Sequence, residues 1–251
     1  MAAQQRQKLA LITTFWDWRS HANHMGERFL CGYPRDGRWH RPDFDVAGVF
    51  VDQSPEKDVS RQRAEECGFA IYSTIAEALR LGTDRLAVDG VLLIGEHGDY
   101  PANDKGQKLY PRFEFFSQIV DVFRQDGRSV PVFNDKHLSY SFDKAQQMVA
   151  AARELDFPLL AGSSLPVTFR LPPLELSLGC HIEEALMIGV GGSDAMDFHA
   201  LEAMQCMVER RKGGETGVAA VQLIEGDAVW QAGKEGRWSR RLLEGALARS
   251  D

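Results

Sequence analysis

The chain has 251 residues, 44% of them hydrophobic and 26% charged, enough to bury the core of one large or two modest globular domains. Its formal net charge of -7 excludes a general nucleic-acid binder, which would present a basic surface, and no apolar run reaches the roughly 18 residues of a membrane span. Cys31, Cys67, Cys180 and Cys206 lie far apart with no CxxC pair, so free thiols in a reducing, cytoplasmic compartment are expected rather than disulfides.

Leu9 to Thr14 reads as a first strand; the apolar run is too short for a signal-peptide core. A dinucleotide-binding unit would continue with G-x-G-x-x-G, whose glycines let the backbone approach a pyrophosphate at a helix N-terminus. Here no glycine occurs before Gly26, and Phe15, Trp16 and Trp18 stand in the turn. Ser20 is a candidate cap for a helix running to about Leu30, on which His21 and His24 share a face. Gly32 to Asp43 is rich in Gly, Pro and Arg and predicts a loop. Val46 to Val51 is a second strand ending in Asp52, the position of an acidic partner for an adenosine ribose, which favours NAD over NADP.

Ser60 to Cys67 predicts a helix closed by Gly68, and Phe69 to Tyr72 a third strand. Thr74 and Glu77 form a capping-box pattern ahead of a helix at Ile75 to Arg80. The fourth strand, Val88 to Ile94, ends in Gly95-Glu96-His97-Gly98-Asp99. A polar loop leads to a helix at Tyr110 to Arg124, whose phenylalanines read as core packing, and a fifth strand, Val130 to Phe133, ends in Asn134-Asp135-Lys136-His137. A helix capped by Ser141 and a sixth strand at Leu159 to Ala161 follow. Alternating strands and helices predict a Rossmann-like doubly wound parallel α/β sheet over residues 1–163. Its ligand edge lies at the C-terminal strand ends, where Glu96, His97, Asp99, Asp135, Lys136 and His137 gather.

After Leu165 the texture changes. Pro166, Pro172 and Pro173 punctuate an extended stretch, and residues 164–251 predict a short α+β second domain. Its expected elements are a strand at Glu184 to Val190 broken by Gly191-Gly192, a helix at Ala195 to Arg211 carrying His199 and Glu202, a hairpin of Val218 to Ile224 with Ala228 to Gln231, and a last helix at Ser239 to Ala248.

The order of elements, Asp135-Lys136-His137 after the fifth strand, and Tyr72-Ser73-Thr74-Ile75-Ala76-Glu77-Ala78-Leu79 resemble the glucose–fructose oxidoreductase, inositol dehydrogenase and MocA (Gfo/Idh/MocA) family over roughly residues 8 to 165. In that family the corresponding segment is Glu-Lys-Pro, with its lysine beside the nicotinamide and substrate. Lys136 matches the lysine, Asp135 replaces the Glu and His137 the Pro. The chain departs from the family in lacking the Gly-rich loop and in a second half shorter than the family's large open sheet, as in a truncated or reduced member. The family's second-domain histidine is matched to His199 in Met196-Asp197-Phe198-His199.

The resemblance implies an oxidoreductase acting on a sugar or polyol with NAD or NADP, and homo-oligomeric assembly is expected. Lys136 would polarise the substrate oxygen, His97 or His199 would move the proton, and Asp135 and His137 would complete the catalytic set. Thr13, Thr14, Asp52, Glu96 and Lys136 are the candidate cofactor-binding residues. One alternative is a cofactor-free sugar isomerase, epimerase or lyase on the same scaffold. It could use a divalent metal, since His97, Asp99, Asp135, His137, His181, Glu184 and His199 are of metal-ligating types, though their spacing matches no standard motif. Another is a non-catalytic Rossmann-like protein that binds a sugar or a protein partner.

Overall fold

The computed structural model describes residues 6–191 and 195–249. The chain divides into two compact units, Met1–Ser163 and Ser164–Asp251. In the first, seven of the elements are β1 (Gln7–Thr13), α1 (His21–Leu30), β2 (Tyr33–Arg35), β3 (Arg38–His40), β4 (Phe44–Val51), α2 (Ser60–Cys67) and β5 (Ala70–Tyr72). They are followed by α3 (Ile75–Arg80), β6 (Gly90–Ile94), α4 (Arg112–Asp126), β7 (Val132–Asp135), α5 (Phe142–Glu154) and β8 (Leu159–Gly162). Six strands form one sheet in the order β5-β4-β1-β6-β7-β8, and every pairing in it is parallel. The chain builds outward from β1 in one direction and then, from β6, in the other. This is the doubly wound Rossmann-like arrangement, with its switch point between β1 and β6.

The sequence explains these elements locally. Ser20 caps α1 by accepting from the Asn23 amide, Thr74 and Glu77 make a capping box on α3, and Ser141 caps α5. Gly68 ends α2 in the left-handed region at φ 77°. A parallel sheet covered on both faces needs strands that are apolar throughout, and all five residues of β6 are buried. On one face Ile75, Leu79, Phe116, Ile119, Phe123 and Met148 from α3, α4 and α5 pack against β1 and β6. On the other, Trp16, Ala22 and Phe69 pack against Leu11, Val49 and Leu92. Burial of each such large side chain contributes about 1.5–3 kcal/mol.

Three expectations are corrected. The predicted loop at Gly32 to Asp43 holds the two-stranded hairpin β2–β3, where the Pro- and Arg-rich composition concealed a turn at Asp36-Gly37, both at positive φ. The second unit contains a 3-10 turn (Leu165–Val167) and the helices α6 (Ala195–Val208), α7 (Asp227–Lys234) and α8 (Arg240–Leu247). Its predicted strand at Glu184 to Val190 is irregular over residues 184–190, and Gly192 lies outside the described residues. The predicted hairpin is replaced by irregular chain and α7. Val218, Val221 and Leu223 make this run apolar, but their side chains are 78–88% exposed, so there is no covered face to fix a strand register. Among the described residues, no helix is long and apolar enough to cross a membrane.

Candidate functional site

The C-terminal ends of β1, β6 and β7 lie side by side. Thr13 stands opposite Ile94, and Leu93 opposite Asn134. Just beyond, the chain turns sharply, with His97 at φ 69° and Lys136 at φ 68°. A left-handed backbone at a residue other than glycine costs of order 1–3 kcal/mol and is concentrated at functional sites. Here two such residues end adjacent strands. Asn134, fully buried, fixes the second turn by donating from Nδ2 to the carbonyls of Asp135 and His137, each at 3.2 Å. The Lys136 amide donates to the Gly162 carbonyl at 3.0 Å, anchoring that turn to β8.

The central contact joins residues 114 positions apart. His21 Nδ1 lies 2.6 Å from Asp135 Oδ2. The carboxylate is almost wholly buried, whereas the His21 side chain keeps 26% of its exposure. His21 is the first residue of α1, so the start of the helix brings it to Asp135 at the end of β7. The His97 ring sits edge-on to it with centroids 5.0 Å apart, and the Phe15 ring is also edge-on to His97, with centroids 6.3 Å apart. Burial lowers the His97 pKa, the neighbouring His21 and Lys136 lower it further, and Glu96 and Asp135 oppose them. A neutral imidazole at ordinary pH is the consequence.

Behind His97 lies a second polar chain. Arg112, fully buried at the start of α4, makes an ion pair with Glu96. Its Nη1 lies 3.3 Å from His137 Nε2. A guanidinium only donates, so His137 Nε2 accepts and its ring carries a proton on Nδ1 when neutral. The Arg112 guanidinium stacks over Tyr110 at 5.2 Å, and burial pulls its pKa down against the pull of Glu96. A Cβ on Gly95 would lie 2.5 Å from Arg112 Cγ, which accounts for glycine at the end of β6. Nothing in the local sequence marks Arg112 as buried, and the sequence reading missed it, along with Asn134 and the pairing of His21.

The remaining sequence candidates are disposed as follows. Glu96, His97, Asp135, Lys136 and His137 come together at this edge. Thr13 and Thr14 do not present ligand groups. Both are fully buried, and their hydroxyls donate to the Phe15 and Glu96 carbonyls at 3.3 and 2.6 Å. The Asp52 carboxylate accepts from the Tyr100 hydroxyl at 2.7 Å, so a ribose would have to displace Tyr100. Burial and this carboxylate both push the Tyr100 pKa up. Asp99 is exposed, and its backbone is gripped by Gln53. His199 belongs to the second unit, where Nδ1 lies 3.2 Å from Glu202 Oε2. His181 and Glu184 also belong to that unit. Among the described residues no three His, Cys, Asp or Glu side chains are grouped to hold a metal, so the divalent-metal alternative has no support.

The turn from β1 to α1 decides how well a dinucleotide pyrophosphate would fit. Such a cradle needs backbone amides turned outward. The Thr14 amide donates to Ile94 O at 3.3 Å and the Ser20 amide to Asp17 O at 3.0 Å. Those of Trp16, Asp17, Trp18 and Arg19 donate to Asp58 Oδ1, Ser20 Oγ, Asp17 Oδ1 and Asn23 Oδ1, at 3.0, 3.2, 2.7 and 3.2 Å. Two of these acceptors are carboxylates, which would repel a phosphate. Trp16 is fully buried beneath the turn and stacks on Phe69 at 5.8 Å. This turn does not fit a pyrophosphate held in the usual Rossmann manner.

No protein-family model matches the chain, and no curated protein matches it. Similar solved structures include a dehydrogenase (MviM) from Clostridium difficile, with 12% identity, a TM-score of 0.41, and coverage of 65% of this chain and 40% of that one. GenD2 from gentamicin A biosynthesis, in complex with NAD, is 20% identical with a TM-score of 0.42, covering 63% and 35%. UDP-N-acetylglucosamine 3-dehydrogenase GnnA from Acidithiobacillus ferrooxidans is 16% identical with a TM-score of 0.40, covering 63% and 39%. The chain spans only 35–40% of the length of these structures. The fold itself is given by the strand order β5-β4-β1-β6-β7-β8: the first unit is a Rossmann-like, doubly wound α/β domain.

Proposed function

We propose that the chain is an oxidoreductase of the Gfo/Idh/MocA type that acts on a sugar or polyol at the C-terminal edge of its sheet. The observation that carries this reading is the convergence of His21, His97, Asp135 and Lys136 at the adjacent ends of β1, β6 and β7. Interconverting a hydroxyl and a carbonyl requires a group that takes or returns the hydroxyl proton and a donor that steadies the oxygen. Imidazoles beside a lysine supply both, and His97 is the one that burial keeps neutral. Arg112 and Glu96 hold the end of β6 in place, and Asn134 holds the end of β7. A nicotinamide, NAD or NADP, supplies hydride chemistry in enzymes of this type. The committed amides of the β1–α1 turn mean that it would have to be held by other parts of the chain.

That same turn favours a second reading, a cofactor-free isomerase, epimerase or lyase on the same scaffold, in which the imidazoles shuttle a proton at carbon. Calorimetric titration with NAD(H) and NADP(H), alongside a panel of hexoses and inositols incubated in deuterated water, separates the two. Micromolar nucleotide binding with nucleotide-dependent turnover supports the oxidoreductase. No binding at millimolar nucleotide, with deuterium entering a panel compound at carbon, replaces it with the second reading. Neither signal refutes both.

A further inference from the structure

We propose that His21 is the catalytic acid–base residue of this site, with its tautomer and orientation fixed by Asp135 as a positioning residue. The proposal deepens the reading above and rests on it. Sequence alone points to Lys136, His97 and His199 for this role. The structure separates His21, His97 and His137 by their surroundings.

His21 Nδ1 lies 2.6 Å from a carboxylate oxygen. A carboxylate accepts, so in neutral His21 the proton sits on Nδ1 and Nε2 carries the lone pair. Asp135 is buried, with its backbone carbonyl held by Asn134 and the next residue anchored on Gly162, so its carboxylate is a fixed reference for the imidazole. The His21 side chain is one-quarter exposed, as a group that must meet a substrate requires. The His21 ring itself meets Asp135 at the end of β7 and His97 at the end of β6, and the charges that act on that His97 ring come from Glu96 beside it and from Asp135 and Lys136 at the end of β7. When a substrate hydroxyl approaches, its O–H bond breaks and an N–H bond forms at Nε2. The resulting imidazolium is balanced by Asp135 without moving the Nδ1 proton. His97, kept neutral, is suited to donate a hydrogen bond to the same oxygen rather than to take its proton. His137 has its Nε2 occupied by Arg112, which removes it as a base at that atom.

The test uses the full chain with ¹⁵N-labelled histidine. Ring nitrogen shifts and couplings are expected to show neutral His21 protonated on Nδ1, and Asp135→Asn is expected to move the proton toward Nε2. A wild-type His21 protonated on Nε2, or a tautomer unchanged in a folded Asp135→Asn protein, overturns the proposal. The wild-type measurement stands even where the variant does not fold. On whichever hexose or inositol of the panel is turned over, His21→Gln is expected to lower kcat by at least about 100-fold, the scale of general acid–base catalysis, with KM changed less than about threefold. The exposed His40→Gln serves as control. Unchanged turnover in His21→Gln refutes the catalytic role. A panel with no turnover and no nucleotide binding counts instead against the sugar reading, while the tautomer still decides the His21–Asp135 pair.

Discussion

Replacing Gly26 with alanine tests whether Trp16 fills the space beneath the β1–α1 turn. Gly26 lies in α1, and a Cβ there would sit 2.7 Å from Trp16 Cη2, 2.8 Å from Cζ2 and 3.2 Å from Leu11 Cδ1. Optimal carbon contacts are about 3.5–4.0 Å, so the ring or the helix must yield. Neither has room, because Trp16 and Leu11 are fully buried and the indole is stacked on Phe69. Overpacking of this kind costs about 1–3 kcal/mol. Alanine in a helix interior recovers about 1 kcal/mol of backbone propensity relative to glycine. The expected net effect is a destabilisation of roughly 0–2 kcal/mol. In a Trp16→Phe background the far edge of the indole is gone, and Gly26→Ala is expected to stabilise by up to about 1 kcal/mol. The coupling between the two positions is then about 1–3 kcal/mol. Urea unfolding of the four proteins, read at the transition of the first unit, measures this directly. Equal stabilisation by Gly26→Ala in both backgrounds would refute the packing and reopen the turn to a ligand.

Two further outcomes follow from the electrostatics. His97 is expected to titrate below the ordinary histidine value of about 6.5, because burial and the adjacent His21 disfavour its charged form. As pH falls through about 6.5 the unfolded chain takes up this proton first, so stability declines until the lower folded midpoint is passed. A His97 ring-proton midpoint at or above 6.5 by NMR contradicts the geometry, and His97→Gln should remove this part of the pH dependence. Asp126 accepts from Arg80 at 2.6 and 3.0 Å and from the Leu86 amide at 2.7 Å, and the Arg80 hydrogen bonds hold its pKa below the usual carboxylate range. Its stabilisation is complete above about pH 4 and is lost as pH falls through the folded midpoint. Asp126→Asn should cost about 1–3 kcal/mol at pH 7, the scale of a charged hydrogen bond, and the gap to wild type should narrow as pH falls through the lowered midpoint. A gap independent of pH would show that the effect is not ionic.

Much of the first unit was legible in the amino-acid order because its signals are local. Ser20, Thr74 and Ser141 sit where helix caps must, Gly68 where a helix must turn left-handed, and β6 is apolar at every position because both its faces are covered. Parallel strands then force their polar ends onto one edge, which placed Glu96, His97, Asp135, Lys136 and His137 together without any tertiary information. In the second unit, the apolar run holding Val218, Val221 and Leu223 misled, since such a run marks a strand only where one face is covered. The remaining features are contacts between distant positions. His21 meets Asp135 only because the β1–α1 turn sets the first residue of α1 beside the end of β7, Arg112 is buried only because Gly95 lets it pass, and the Trp16 and Arg19 amides of that turn are engaged because Asp58 and Asn23 accept from them. Local propensity carries no record of such pairings; packing around the sheet creates them, and there the roles of the site's residues are decided.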